Sequence, residues 1–149
     1  MTGKLEEKSD FDKMVENIQN ELDAEAEAIF SKKALYECSH PVNLGRIKNP
    51  DAVGIITGPC GDTMEFFCKV EKNKLTEIKF MTNGCAPTIA CGSMVSRMVI
   101  GKPLDEILKI TYNDLINTLD GLPEENRHCA KLAVDTLQKA IRNYQIEEG

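Results

Sequence analysis

The sequence predicts an α+β domain, in which a small three-stranded antiparallel sheet packs against several helices and the chain ends in a long helix. Two observations predict this class. Apolar residues alternate with polar ones between residues 52 and 81, whereas beyond residue 85 they recur every three or four positions. Strands followed by a run of helices are typical of α+β architecture. The length of 149 residues suits one hydrophobic core.

Three strands are predicted, at residues 52–57, 64–70 and 75–81. A turn at residues 71–74 joins the last two, and so short a connection makes them antiparallel neighbours. The stretch 40–50 is predicted to be a loop. A short helix over Ser31–Glu37 precedes it, because Pro41 disfavours helical geometry in the residue before it.

Hydrophobic stripes at helical spacing predict four helices after the sheet. The first follows Cys85 and ends before Gly101. Pro103 suits the first turn of the second helix, and the third begins at a capping pair formed by Thr111 and Asp114. The stripe of the last and longest helix runs from residue 129 to residue 144.

An extra helix is predicted within residues 1–30. Its apolar residues share one face, and they are Phe11, Met14, Val15, Ile18 and Leu22. Asp10 suits its N-cap, and residues 23–28 would prolong it. Residues 1–30 carry nine acids and three lysines, whereas the remainder carries fifteen of each sign, so this segment accounts for the net charge of −6. We therefore predict an acidic helical extension, 1–30, which either packs on its own domain or docks a partner, and a cysteine-bearing domain, 31–149.

The composition argues against several classes of function. No basic stripe with interleaved aromatic residues is present, so nucleic acid is not an expected partner. No apolar run approaches the roughly 18 residues of a membrane span, and the N-terminus does not resemble a signal peptide. We expect a cytoplasmic protein, in which six cysteines indicate metal or redox chemistry rather than disulfides.

Three separated motifs carry the candidate chemistry: Gly-Pro-Cys-Gly-Asp at 58–62, Asn-Gly-Cys-Ala-Pro at 83–87 and Arg-His-Cys-Ala at 127–130. Their metal-competent residues are Cys60, Asp62, Cys85, His128 and Cys129. Thiolate, carboxylate and imidazole together form a ligand set for iron, zinc or an iron–sulfur cluster. These cysteines do not form the local pairs typical of zinc ribbons and ferredoxins, so the fold must bring three distant segments together.

The local context of each cysteine refines this hypothesis. Cys85 precedes a helix, whose positive dipole end favours the thiolate. Cys91 lies on the apolar stripe of that helix, which favours core packing, but it stays a candidate reserve ligand. His128 and Cys129 are adjacent, so their side chains should diverge by about 100° around a helix, which argues against a catalytic dyad.

Together the motifs resemble the three active-site segments of the IscU/NifU-type iron–sulfur cluster assembly scaffolds. The resemblance runs from about residue 31 to residue 144 and includes the stretches 40–45 and 101–106. It implies a compact α+β domain whose cysteines are grouped at one exposed end. By this resemblance the cluster ligands are Cys60, Cys85 and Cys129. Cys129 is also the persulfide acceptor, and Asp62 and His128 are alternative fourth ligands.

The resemblance implies an assembly scaffold rather than an enzyme. A cysteine desulfurase delivers sulfur as a persulfide, iron and electrons arrive, and a [2Fe–2S] cluster forms, with [4Fe–4S] as the alternative. The cluster then passes to apo iron–sulfur proteins. Carboxylate and imidazole are harder ligands than a fourth thiolate, so such a site holds its cluster provisionally. Whether the chain forms a homodimer is left open.

Two departures from the family pattern affect these expectations. Cys91 stands where a serine or threonine is common, which keeps it as a candidate fourth ligand. Leu-Pro-Glu-Glu-Asn at 122–126 replaces the Leu-Pro-Pro-Val-Lys loop that bacterial members present to an Hsp70-type chaperone, which argues against that partner.

Two other functions use the same residues. One is a regulatory or structural zinc protein, since zinc would occupy this ligand set in the absence of a cluster. The other is a zinc-binding carrier that passes persulfide sulfur to another acceptor. The presence of His128 and the short connection before the last helix favour the scaffold.

Overall fold

A computed structural model of the chain describes residues 10–16 and 30–148. The elements in order are α1 (10–16), α2 (Lys32–Ser39), β1 (Ala52–Thr57), β2 (Thr63–Glu71), β3 (Lys74–Thr82), α3 (Ala86–Val99), α4 (Leu104–Ile107), α5 (Tyr112–Thr118) and α6 (Arg127–Glu148), with a 3-10 turn, Glu124–Asn126, before α6. The predicted α+β class, antiparallel sheet and long C-terminal helix are confirmed. Ile18, Leu22 and residues 23–28, which were expected to continue α1, lie outside the described residues. Within the described ranges, every helix is too short or too polar to cross a bilayer.

Helix boundaries follow local capping chemistry. Ser31 lies outside α2 as its N-cap and accepts a hydrogen bond from the backbone N–H of Ala34, and the helix continues to Ser39, two residues beyond the prediction. Thr111 and Asp114 form the expected capping box at the start of α5.

The sheet has the order β1-β2-β3, with both pairs antiparallel. Strand alternation directs Met64, Phe66 and Cys68 of β2 into the core, where they are fully buried. Phe66 lies opposite Phe80 of β3, with ring centroids 5.8 Å apart. The helices therefore pack on the buried face of the sheet.

Helix α6 crosses β1 at Gly54. A Cβ atom there would lie 2.5 Å from the carbonyl oxygen of Thr136 and 2.6 Å from the amide nitrogen of Ala140, so the close approach of strand and helix requires glycine. Nearer its start, α6 passes the end of β1, where a Cβ on Gly58 would touch Leu132 at 3.6 Å. The first turn of α6 is thereby placed beside the loop that joins β1 to β2.

Helix α3 packs on the same face of the sheet. A Cβ on Gly92 would lie 2.5 Å from the ring of Phe80, so the missing side chain lets the helix settle on this ring. A polar network holds α3 against α2. The buried carboxylate of Glu37 pairs with Arg97 at 2.9 Å and accepts a hydrogen bond from Ser93 at 2.5 Å. These two partners keep the buried carboxylate from being left without a counter-charge or a hydrogen bond.

The segment 40–50 contains no named helix or strand, in agreement with the predicted loop, but Leu44 forms an isolated parallel bridge with Phe80. Phe80 N donates to Asn43 O at 2.8 Å, and Gly45 N donates to Phe80 O at 2.9 Å. Asn43 has a φ of 63°, which asparagine tolerates better than most residues. The segment thus extends the β3 edge by a single bridge.

Candidate functional site

Cys60 lies at the tip of the loop between β1 and β2. Gly58 N donates to Asp62 O at 2.8 Å and Gly61 N donates to Gly58 O at 3.0 Å, which folds the loop into a tight turn. Gly61 has a φ of +93°, in the left-handed region that favours glycine. Because the loop projects from the sheet, Cys60 is exposed and its thiol is accessible.

Cys85 is the N-cap residue of α3 and has an extended backbone. Pro87 stands in the first helical turn, where its lack of an N–H costs nothing. Gly84 N donates to the Thr82 hydroxyl at 3.0 Å, which ties the end of β3 to the start of the helix. Cys85 is exposed beside the positive end of the helix dipole, as the sequence predicts.

Cys129 lies in the first turn of α6 and is only 1% exposed. His128 Nε2 lies 3.7 Å from its sulfur, within reach of a hydrogen bond to sulfur. The expected divergence of these two side chains is therefore wrong. Two neighbouring Cβ atoms do point apart on a helix, but the histidine side chain is long enough to bring its far nitrogen back to the adjacent sulfur.

Thr88 connects the motifs and was missed as a site residue at the level of sequence. Its Oγ1 lies 3.1 Å from Asp62 Oδ2, 3.3 Å from Cys129 Sγ and 3.8 Å from Cys85 Sγ. A residue three positions after Cys85 lies on the same helix face, and this spacing is the one sequence signal that could have indicated its contact with Cys85. Its other two partners depend on the tertiary fold.

The thiols of Cys85 and Cys129 influence each other's pKa in opposite directions. The hydrogen bond from Cys129 lowers the pKa of Cys85 to about 6, against the opposing effect of burial, and Thr88 contributes in the same direction. The same bond to Cys85, followed by burial, raises the pKa of Cys129. The opposite shifts favour the thiolate on the exposed Cys85 and the proton on the buried Cys129.

The backbone of Gly84 passes close to the side chains of Thr88 and Asp62. A Cβ at Gly84 would lie 2.8 Å from the Thr88 side chain and 2.9 Å from Asp62 Oδ2. Only glycine lets the backbone pass so closely over the contact between Thr88 and Asp62.

Cys91 lies two turns into α3 and is fully buried among apolar residues. Burial raises the pKa of its thiol, which disfavours the thiolate that a metal requires. This position is what the core interpretation predicts.

The fold brings Asp62, Cys85 and Cys129 together, and His128 joins them through its contact with Cys129. Cys60 is two residues from Asp62 on the exposed loop. Among residues 10–16 and 30–148, no three His, Cys, Asp or Glu side chains are already arranged to hold a metal ion. The donor types fit a soft or borderline metal, so the ligand set stays a prediction that is chemically consistent with this site.

Comparison with known proteins identifies related chains. The family model for the NifU-like N terminal domain matches residues 29–149. The chain is 41% identical over 122 residues to the iron-sulfur cluster assembly scaffold protein IscU 1 of Archaeoglobus fulgidus, a match that covers 81% of this chain and 80% of that protein. It is 37% identical over 123 residues to the iron-sulfur cluster assembly scaffold protein IscU of Aquifex aeolicus, covering 80% and 78%. The crystal structure of a nitrogen-fixing NifU-like protein (N-terminal) from Brucella abortus is similar to it with a TM-score of 0.62 and 25% identity, covering 79% of this chain and 94% of that one.

Proposed function

Because the chain belongs to the NifU-like N-terminal domain family, we propose that it is a scaffold on which an iron–sulfur cluster is assembled and then passed to apo iron–sulfur proteins. It acts as an assembly surface rather than as an enzyme. The observation that carries the proposal is the meeting of Asp62, Cys85 and Cys129 around one buried hydroxyl at the end of the domain.

We assign the cluster to Cys60, Cys85 and Cys129, with Asp62 or His128 as the fourth ligand. A carboxylate or imidazole exchanges more readily than a thiolate, because it is the harder partner for iron in a sulfur environment. A mixed donor set therefore suits a cargo that has to leave. Cys91 is a less favoured fourth ligand, because reaching the cluster would require it to leave the core.

Sulfur reaches the site from a cysteine desulfurase by exchange at its persulfide. A scaffold thiolate attacks the outer sulfur of the donor persulfide, a new S–S bond forms on the scaffold, and the donor cysteine leaves as a thiolate. Cys129 is the proposed acceptor. The interaction with Cys85, followed by burial, raises the pKa of Cys129, so opening of that contact favours its thiolate, which is the attacking form.

The proposed product is a [2Fe–2S] cluster, with [4Fe–4S] as the alternative. A zinc protein or persulfide carrier would use the same residues but would form no cluster. The acidic sequence at 122–126 argues against an Hsp70-type chaperone as the partner for release.

Anaerobic reconstitution tests the proposal. The protein is incubated with a desulfurase, cysteine, a reductant and ferrous iron, and the product is followed by absorbance and Mössbauer spectroscopy. Cluster is expected in the parent and in the Cys68→Ala control, whose cysteine is buried in the sheet away from the site. It is expected to be lost in the Cys60→Ala, Cys85→Ala and Cys129→Ala variants. A parent that forms no cluster, or that takes up zinc alone, would contradict the scaffold assignment.

A further inference from the structure

Thr88 provides a buried polar group at the base of the site. The residue is 0% exposed, and its hydroxyl contacts Asp62 Oδ2 at 3.1 Å and Cys129 Sγ at 3.3 Å. A threonine hydroxyl has one proton and two acceptor lone pairs, so it donates to one of these partners at a time. Burial of such a group is favourable only while it stays hydrogen-bonded, so Thr88 holds its two partners close.

The element that carries Thr88 is rigid. The β-branched side chain of threonine has few χ1 rotamers in a helix, and α3 is fixed on the sheet by the contact between Gly92 and Phe80. Asp62, in contrast, belongs to the loop between two strands. Its hydrogen bond to Thr88 therefore restrains the loop carboxylate against helix α3.

The hydrogen bond to Thr88 engages only one of the two oxygens of the Asp62 carboxylate. Oδ2 is engaged by Thr88, and within the described part of the chain no hydrogen bond is formed by Oδ1. A carboxylate with one oxygen held by a hydrogen bond and the other without one has the arrangement of a metal ligand with a supporting partner. Glycine at position 84 permits this hydrogen bond, because any side chain there would collide with both Thr88 and Asp62.

We propose that Thr88 is a positioning residue of this site, which orients the Asp62 carboxylate and the Cys129 sulfur toward an incoming divalent metal ion. The inference rests on the proposed function, because it deepens the role of the same site. Thr88 does not ligate the metal. It reduces the reorganisation that two of the donors undergo when the metal binds.

Cobalt(II) binding to the metal-free protein tests this role under anaerobic conditions. Thiolate-to-cobalt charge-transfer and d–d bands report affinity and ligand geometry without any cluster chemistry. Thr88→Val keeps the shape of the side chain and removes the hydroxyl, and it is expected to raise the cobalt Kd about tenfold, the lower end of the effect of losing a supporting hydrogen bond. Thr88→Ser restores the hydroxyl and is expected to bind nearly as the parent does.

Thr136→Val is the matched control. Thr136 is equally buried, and its hydroxyl donates to Leu132 O within α6. This variant should leave the cobalt Kd unchanged, because the hydroxyl that it removes is bonded within α6. Thr88→Ala serves as a second hydroxyl-free variant if Thr88→Val does not fold.

The Asp62→Ala background tests whether Thr88 affects cobalt binding through the Asp62 carboxylate. If Thr88 acts through the carboxylate, Thr88→Val should weaken cobalt binding less in the Asp62→Ala background than in the parent background. Equal losses in the two backgrounds would overturn the role through Asp62, and an unchanged Kd in Thr88→Val would overturn the proposal as a whole. A parent that shows no thiolate-to-cobalt band would instead contradict the metal site of the proposed function.

Discussion

His128 and Cys129 are adjacent in the first turn of α6, and yet the imidazole Nε2 lies 3.7 Å from the sulfur. The ring lies beside a thiol that also contacts Thr88 and is influenced by Cys85. It can share a hydrogen bond with the Cys129 sulfur or take a ligand position itself.

His128→Ala should therefore slow cluster formation by about tenfold, the lower end of the effect of removing a residue that supports a metal site. His40→Ala is the control, because His40 is the other histidine of the chain and stacks on Tyr36 at the surface. Initial rates of absorbance gain during reconstitution provide the measurement. Equal rates in the two variants would mean that His128 has no part in assembly.

The lowered pKa of Cys85 predicts that its alkylation rate rises at a lower pH than that of an ordinary cysteine. Only the thiolate reacts with the reagent. A pKa lowered to about 6 means that the Cys85 side chain is mostly thiolate above pH 6 and mostly thiol below it. Iodoacetamide labelling of the metal-free protein, followed by peptide mass spectrometry, should give a Cys85 rate that rises through about pH 6 and then levels off. Because the hydrogen bond from Cys129 is the largest cause, Cys129→Ala should move the midpoint to higher pH. A parent midpoint near the ordinary cysteine value of about 8.5 would contradict the lowered pKa of Cys85.

Asp62→Ala should lengthen the lifetime of the assembled cluster. A carboxylate is the more exchangeable donor, so removing it closes a route by which iron is lost. The decay of visible absorbance in the presence of an iron chelator measures this lifetime. Asp105→Ala removes an exposed acid from α4, beside the β2–β3 turn at the other end of the sheet, and should decay like the parent. The lability argument would not survive if Asp62→Ala lost its cluster as fast as Asp105→Ala does.

Gly54→Ala should destabilise the fold by about 2 kcal/mol, a typical cost of overpacking. The new methyl group would meet backbone atoms of Thr136 and Ala140, which cannot rotate away. Urea unfolding of Gly58→Ala gives the comparison, because a Cβ there meets only the Leu132 side chain at an ordinary 3.6 Å. Equal unfolding midpoints for the two variants would show that α6 shifts easily on the sheet.

The sheet and helices were predictable because burial on one face leaves a periodic pattern. Alternation in β2 follows from Met64, Phe66 and Cys68 facing the core. A single bridge such as that between Leu44 and Phe80 has no period, so its segment was expected to be a loop.

The candidate site was predictable in its parts but not in its connections. The motifs supplied the cysteines, and the resemblance indicated that they meet. The role of Thr88 depends on where α3, α6 and the β1–β2 loop converge, and so does the burial of Cys129. Nothing in the spacing of the motifs encodes those distances.

Transfer of a preassembled cluster is the most direct test of the scaffold assignment. The reconstituted protein, freed of unbound iron and sulfide, is mixed anaerobically with an apo [2Fe–2S] ferredoxin in the presence of a chelator, and circular dichroism follows the cluster on each protein. We predict that the ferredoxin gains cluster as this protein loses it, at a rate that the chelator does not reduce. A cluster that stays bound, or iron that appears only in the chelator, would contradict the account.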